Sequence, residues 1–194
     1  MSTKQSPEST PAEWAQFIEP TRCWVERVVV GLNFCPFAKR EVDAHRAHYA
    51  VADSRETPEV LQTLLEEFHR LDAQPEIETT LLILPYGFEG FFDYLDLEDW
   101  AQGLLAQEGY EGVYQVASFH PDYCFADAAE DDPANYTNRS PFPMLHLIRE
   151  DSLEQALKHH PDPDSIPQTN IDLAREKGLA SMQVLLGSCL KSKG

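Results

Sequence analysis

Apolar residues recur along the chain with two periods, one typical of strands and one typical of helices. Short apolar runs at 47–53, 79–84, 113–119 and 144–149 predict four β-strands. Residues 58–72 carry their apolar side chains on one stripe and predict an amphipathic helix that Thr57 caps. Looser helical spacing predicts three more helices: one opening near Asp96 and ending before Gly109, one at 153–159 capped by Ser152, and one at 168–191.

The N-terminal part of the chain is predicted to be helical after a short tail. Residues 1–12 are polar with two prolines and predict a disordered tail. Helical spacing from Ala12 to Val30 is interrupted by Pro20, which predicts a short helix, a break, and a second helix from Thr21 to near Gly31. Another helix is predicted to begin at Pro36, because proline suits the first helical turn.

The order of these elements predicts a single α/β domain over residues 13–191. We expect a mixed sheet of about four strands packed with helices, and helical N- and C-terminal segments. No helical pattern separates the last two strands, so they are predicted to pair antiparallel. That pairing would bring His120 to the same sheet edge as Asn135, Asn138 and Arg139.

The charge balance and the cysteines limit the classes of function. The 194 residues carry a net charge of −18, which disfavours nucleic acid and anionic membranes as partners of this acidic protein. The chain has no run of 18 apolar residues and no apolar signal region at its start. Its four cysteines show no CxxC spacing, so we expect a cytoplasmic protein with free thiols.

Cys35 is the first candidate for chemistry. At a helix N-terminus, with Lys39 and Arg40 one turn on, its thiol pKa is expected to fall, which favours a nucleophilic or redox role. The string around it resembles the Cys-Pro-Phe helix start of glutaredoxin-like proteins and omega-type glutathione transferases, although there the cysteine follows the first strand. The alternatives are a buried structural cysteine between Phe34 and Phe37, or a metal ligand.

The long connection at 120–143 holds the other candidates. His120 ends a strand, where it could act as a catalytic acid or base or hydrogen-bond its own loop. Arg139 could hold a carboxylate or phosphate, oriented by Asn135, Asn138 and Ser140. Two alternatives stay open: the asparagines stabilise turns only, or Arg139 pairs with an acidic residue of the segment 127–132.

The last strand is predicted to separate its two polar residues. Side chains alternate, so His146 shares a face with Met144 and Ile148, whereas Arg149 lies on the opposite face. His146 is expected to be a core histidine, and Arg149 to pair with Glu150 or to be solvated. The four side chains that could build a zinc site lack ligand spacing, so neither a metal nor another cofactor is predicted: Cys35, His120, Cys124, His146.

Three segments resemble those of domain-of-unknown-function family 1415, a family of bacterial and some plant proteins of about this length. They are GLNFCPFA at 31–38, SFHPDY at 118–123 and NYTNRSPFPMLHLIRE at 135–150. The resemblance extends over residues 13–180 and implies a single-domain, non-secreted protein. It implies no activity, cofactor or catalytic residue.

Three functional hypotheses follow. The first is an enzyme, with hydrolase- or transferase-type activity on a small anionic or amide-bearing molecule. It uses Cys35 and His120 for catalysis, and Asn135, Asn138, Arg139 and Ser140 for binding. The second is a non-catalytic binding or regulatory domain in which the Asn/Arg cluster is structural. The third is a thiol-redox protein that uses Cys35. All three expect a small-molecule ligand and leave the oligomeric state open.

Overall fold

The computed structural model describes residues 12–191, and all structural statements below concern this part of the chain. Four strands and seven α-helices make up its regular structure. The strands are β1 Ala47–Val51, β2 Thr79–Ile83, β3 Tyr114–Phe119 and β4 Met144–Arg149. The helices are α1 Ala15–Trp24, α2 Ala38–Asp43, α3 Thr57–Ala73, α4 Phe91–Gln107, α5 Glu150–Lys158, α6 Ile166–Lys177 and α7 Leu179–Leu190.

The sheet is mixed and has the order β1-β2-β4-β3. β1 and β2 run parallel around the crossover helix α3, and β4 is inserted antiparallel between β2 and β3. The predicted mixed sheet of four strands and the antiparallel pairing of the last two strands are confirmed. Phe119 pairs with Met144, so the end of β3 and the start of β4 share one edge.

Helices cover both faces of the sheet. On one face α3 and α4 pack against side chains such as Leu82, Leu145 and Leu147. On the other face the N-terminal and C-terminal helices pack against Leu81, Ile83 and Met144. The continuous apolar run of β2 therefore reflects burial on both faces, as its composition predicts.

Pro20 does not break the first helix, contrary to the prediction. α1 continues through Pro20, which is buried, and passes directly into a π-helical stretch, Val25–Val30. The wider winding shows in a hydrogen bond from Gly31 N to Glu26 O at 3.0 Å. Burial of Trp24, Val25 and Val28 against the sheet holds this segment helical, so tertiary packing outweighs the missing proline donor.

The predicted helix at 168–191 is two helices, α6 and α7, separated by Gly178. Gly178 has φ 78° and ψ 158°, a backbone conformation that is essentially restricted to glycine. The apolar spacing runs on across the junction, so the pattern alone suggested one helix. Only the backbone geometry of Gly178 shows the break.

Four helix starts differ from the predicted ones. α4 begins at Phe91, five residues before Asp96, with Gly90 at its N-cap and no side-chain cap. α5 begins at Glu150, so Ser152 lies inside it, and Thr57 is the first residue of α3 while Glu56 is its cap. α2 begins at Ala38, two residues beyond Pro36. Aromatic first-turn residues such as Phe91 gave no capping signal in the sequence.

Two further findings concern the chain ends and membranes. Apart from Ala12, which starts a 3-10 turn, the tail predicted at residues 1–12 lies outside the described residues. No helix within residues 12–191 combines the length and the apolar character needed to cross a membrane.

Candidate functional site

The structure brings His120 and Asn138 together at the edge shared by β3 and β4. His120 N donates to Asn138 O at 3.2 Å, and Asn138 Nδ2 donates to Ser118 O at 3.2 Å. The chain between them returns through a 3-10 helix, Pro133–Thr137. The 120–143 connection is thus an ordered loop that closes on its own ends.

His120 is fully buried, and both of its ring nitrogens are occupied. Nδ1 accepts from Asp122 N at 3.0 Å, so Nε2 carries the proton and donates to Phe88 O at 3.0 Å. Burial lowers the pKa of His120, although the Phe88 carbonyl opposes that effect. The ring is therefore a neutral link between the loop and the segment before α4, with no nitrogen left for a substrate.

The polar side chains predicted to clamp an anion bind the backbone of their own loop. Arg139 Nε donates to Tyr123 O at 3.0 Å and Nη2 to Glu130 O at 2.9 Å, with the guanidinium 4.9 Å above the Tyr136 ring. Asn135, fully buried, accepts from Phe125 N and donates to Ala129 O. Two of the five guanidinium N–H donors of Arg139 are thus committed to loop carbonyls.

Ser140 and the acidic residues complete the loop. Ser140 is fully buried, and its hydroxyl donates to Phe142 O at 2.6 Å. Asp132 pairs with Arg175 of α6 at 2.7 Å rather than with Arg139, and that guanidinium lowers the pKa of Asp132. Arg139 contacts Glu130 through its backbone carbonyl, so the predicted alternative of a carboxylate partner for Arg139 is wrong.

An apolar pocket lies elsewhere, on the sheet face covered by the N-terminal helices and α5. It encloses about 240 Å³. Ala47 of β1 lines it, and the other three strands supply most of its floor: Thr79, Leu81, Ala117, Phe119, His146, Ile148. Its walls come from α1 with the π-helical stretch, from α2 and the turn before it, and from α5. They include Trp24, Val29, Cys35, Phe37, Leu153 and Ala156.

His146 is, with Thr79, one of the two polar residues on the pocket floor. Its Nε2 lies 2.6 Å from Thr79 Oγ1, and that hydroxyl also lies 2.5 Å from Leu147 O. A carbonyl only accepts, so the single hydroxyl proton goes to Leu147 and Nε2–H donates to Thr79. Burial lowers the pKa of His146 to about 4, so the imidazole is neutral at neutral pH.

Cys35 lines the same pocket, in the turn before α2. Its sulfur receives hydrogen bonds from the backbone N–H groups of Phe37 and Ala38, which lower the thiol pKa, but burial has the larger effect and raises it. The expected thiolate is therefore not what this environment favours. The turn before α2 folds onto the sheet and desolvates the sulfur, which the local sequence did not indicate.

The carboxylates at the pocket wall are paired. Arg46 forms ion pairs with Glu41 and, at 3.4 Å, with Glu78, and Arg40 Nε lies 3.6 Å from the other oxygen of Glu41. Glu41 and Glu78 both contribute to the lining. A ligand in the pocket therefore meets neutral groups and already neutralised charges.

The structure thus places Cys35 in the same pocket as His146 and apart from the loop residues. His120, Asn135, Asn138, Arg139 and Ser140 are absent from the pocket lining. Thr79, Phe119 and Trp24 belong to it although their sequence gave no functional signal. The only sequence feature that bore on the pocket was the alternation of side chains along β4, which predicted that His146 and Arg149 lie on opposite faces of the sheet.

Arg149 lies on the other sheet face, as predicted, but does not pair with Glu150. Its guanidinium donates to Leu71 O in the last turn of α3 and to Ile77 O in the segment after it. It also lies 5.6 Å from the Tyr114 ring centre. Carbonyls at a helix C-terminus attract cations, which explains this choice. Arg149 therefore ties β4 to α3.

The described residues include no group of three or more His, Cys, Asp or Glu side chains placed to hold a metal ion. Cys124, one of the residues that could have built a zinc site, has its sulfur 3.5 Å from Ala128 O in the loop.

The family of the chain follows from comparison with known proteins. Neither the curated proteins nor the solved structures include one that matches the chain. A family model described as "Protein of unknown function (DUF1415)" matches residues 16–184, a range that contains the loop, the pocket and all four strands. The chain therefore belongs to the DUF1415 family.

Proposed function

We propose that this protein is a non-catalytic binding domain for a small, largely apolar molecule held in the pocket between the sheet and its N-terminal helices. The observation that carries this proposal is the pocket itself. An apolar cavity of about 150 Å³ is known to accept benzene. The space of about 240 Å³ suits a fused two-ring compound or one of similar size.

The state of the polar groups supports binding over catalysis. The Cys35 thiol is desolvated and His146 is neutral with a low pKa, so neither is prepared to transfer a proton at neutral pH. The Asn/Arg cluster hydrogen-bonds its own loop backbone. These contacts favour the hypothesis in which the cluster has a structural role.

Binding of 1-methylnaphthalene tests the proposal. We expect saturable binding, measured by changes in protein NMR spectra and by an increase in the melting temperature. Ala117→Leu places a larger side chain on the pocket floor and should abolish binding. The matched control is Ala106→Leu, at an exposed position of α4, which should bind as the wild type does. Equal binding by Ala117→Leu and the wild type would refute the proposal.

A thiol-dependent enzyme is the second candidate, because Cys35 and His146 line the same pocket. The two functions differ in the expected reactivity of Cys35. Burial raises its pKa, so a binding domain predicts that iodoacetamide modifies Cys35 more slowly than it modifies free cysteine at neutral pH. Mass spectrometry of the Cys35 peptide measures the rate at several pH values. Fast modification well below pH 8 would favour the enzyme.

A further inference from the structure

On the pocket floor, Nδ1 of His146 is an uncharged acceptor without a partner. The floor around this ring is apolar: Leu81 and Ala117 are its cross-strand neighbours, and the Phe119 ring centre lies 6.1 Å away. A polar nitrogen in such surroundings carries more weight in binding than it would at a wet surface.

The tautomer of His146 is fixed by Thr79. Because the Thr79 hydroxyl donates to Leu147 O, it can only accept from Nε2–H. Nδ1 of the neutral ring is then a lone-pair acceptor and cannot donate.

No described residue fills the acceptor position. None donates to Nδ1, and Nδ1 is not among the side-chain nitrogens and oxygens that are sealed off without a partner. The ring is half-buried and lines the pocket. The lone pair is therefore open to a molecule that occupies the pocket.

The charges in the lining select against anions. The described lining residues include no lysine or arginine that could bind a carboxylate or phosphate, and the two lining carboxylates, Glu41 and Glu78, are paired with Arg40 and Arg46, which do not line the pocket. A ligand here should be uncharged.

We propose that the pocket selects uncharged ligands that carry one hydroxyl or N–H group, which donates to Nδ1 of His146. This inference rests on the proposed function and specifies its ligand class. A site that hydrogen-bonds a ligand group discriminates against the analogue without it, because the buried polar atom is then left unpaired. We expect a preference of about tenfold for the donor over an apolar analogue of the same shape.

Two probes of matched size test the preference: 1-naphthol, which donates a hydrogen bond, and 1-methylnaphthalene, which does not. Titration calorimetry of the wild type should give about tenfold tighter binding of 1-naphthol. His146→Phe keeps an aromatic ring without the acceptor and should bind both probes equally. Thr79→Val removes the hydroxyl that fixes the tautomer and should reduce the preference.

The possible outcomes separate this inference from the proposed function. If the wild type binds both probes with equal affinity, or if the preference persists in His146→Phe, the role of His146 is refuted while the pocket remains a binding site. If the wild type binds neither probe, the proposed function fails and this inference with it. Should His146→Phe not fold, the ¹⁵N resonance of His146 Nδ1 decides: 1-naphthol should shift it and 1-methylnaphthalene should not.

Discussion

Among single residues, His120 and His146 differ in how many of their ring nitrogens already have a hydrogen-bond partner, and this decides which of them can contact a ligand. His120, the stronger candidate from sequence, uses both nitrogens within its loop. His146, expected to be a core histidine, uses one nitrogen and leaves the other to a pocket. Strand alternation correctly separated His146 from Arg149. It could not indicate the pocket, because the wall that carries Cys35 comes from a distant turn folded onto the sheet.

His146 should make stability depend on pH. Its folded pKa of about 4 lies below the usual value of 6.5 for a histidine, so the unfolded chain binds more protons between these values. The contribution of His146 to the free energy of unfolding is fully present above the pKa of the unfolded chain and is lost as pH falls toward the pKa of the folded protein. The loss should be about 2 kcal/mol between pH 7 and pH 5. Urea denaturation of the wild type and His146→Gln at both pH values measures the difference.

The comparison with His146→Gln isolates this residue. Its side-chain amide can donate to Thr79 as Nε2 does, but it does not titrate. The lowered pKa of His120 acts in both proteins and cancels in the difference. If both proteins lose the same free energy of unfolding on acidification, titration of His146 does not cause the loss of stability between pH 7 and pH 5, and the prediction is wrong.

At the scale of elements, the 120–143 loop is held by side-chain hydrogen bonds to its own backbone. Asn135 and Arg139 between them reach Tyr123, Phe125, Ala129 and Glu130. The sequence indicated an organised loop through its density of asparagine, arginine and proline. It could not show whether the polar groups point outward to a ligand or inward to carbonyls, because both uses require the same residue types.

Arg139→Ala should therefore destabilise the protein. It removes two charge-assisted hydrogen bonds to Tyr123 O and Glu130 O and the contact with Tyr136, which together should cost about 2–3 kcal/mol. The matched control is Arg40→Ala, which removes an 82% exposed side chain and its 3.6 Å ion pair with Glu41 and should change stability by less than about 1 kcal/mol. Chemical denaturation measures both. Equal stability of the two variants would contradict a structural role for Arg139 and favour the hypothesis that it binds an anion.

The junction of α6 and α7 offers an opposite pair of glycine substitutions. Gly178→Ala forces a side chain into φ 78°, ψ 158°, which should cost about 1–3 kcal/mol. Gly187→Ala, inside α7 where an added Cβ meets nothing within 4 Å, should stabilise by about 0.5–1 kcal/mol. Thermal denaturation of both variants measures the sign. Stabilisation by Gly178→Ala would show that the two helices join continuously in solution.

At the scale of the whole molecule, the order of strands and helices predicted the architecture better than it predicted the site. The missing helix between β3 and β4 correctly indicated antiparallel pairing. The face that each helix covers could not be predicted from the sequence. The apolar stripes of α3 and α4 fit either side of the sheet, because the inner strand β2 is apolar on both faces. The pocket arises from that distribution, since the N-terminal helices and α5 share one face and leave a gap between them.

The net charge of −18 should make the folded protein less stable at low ionic strength. Salt screens repulsion over about 30 Å at 0.01 M and about 8 Å at 0.15 M, so raising sodium chloride across this range should increase the melting temperature. A gain on the order of 1 kcal/mol corresponds to about 2–4 °C for a chain of this size. Replacing the exposed residues Asp99 and Glu111 by lysine brings the net charge to −14 and should flatten the salt dependence while raising the melting temperature at low salt. A salt response identical in this variant and the wild type would mean that the gain comes from ion binding at particular sites, because a general repulsion must weaken when the net charge falls.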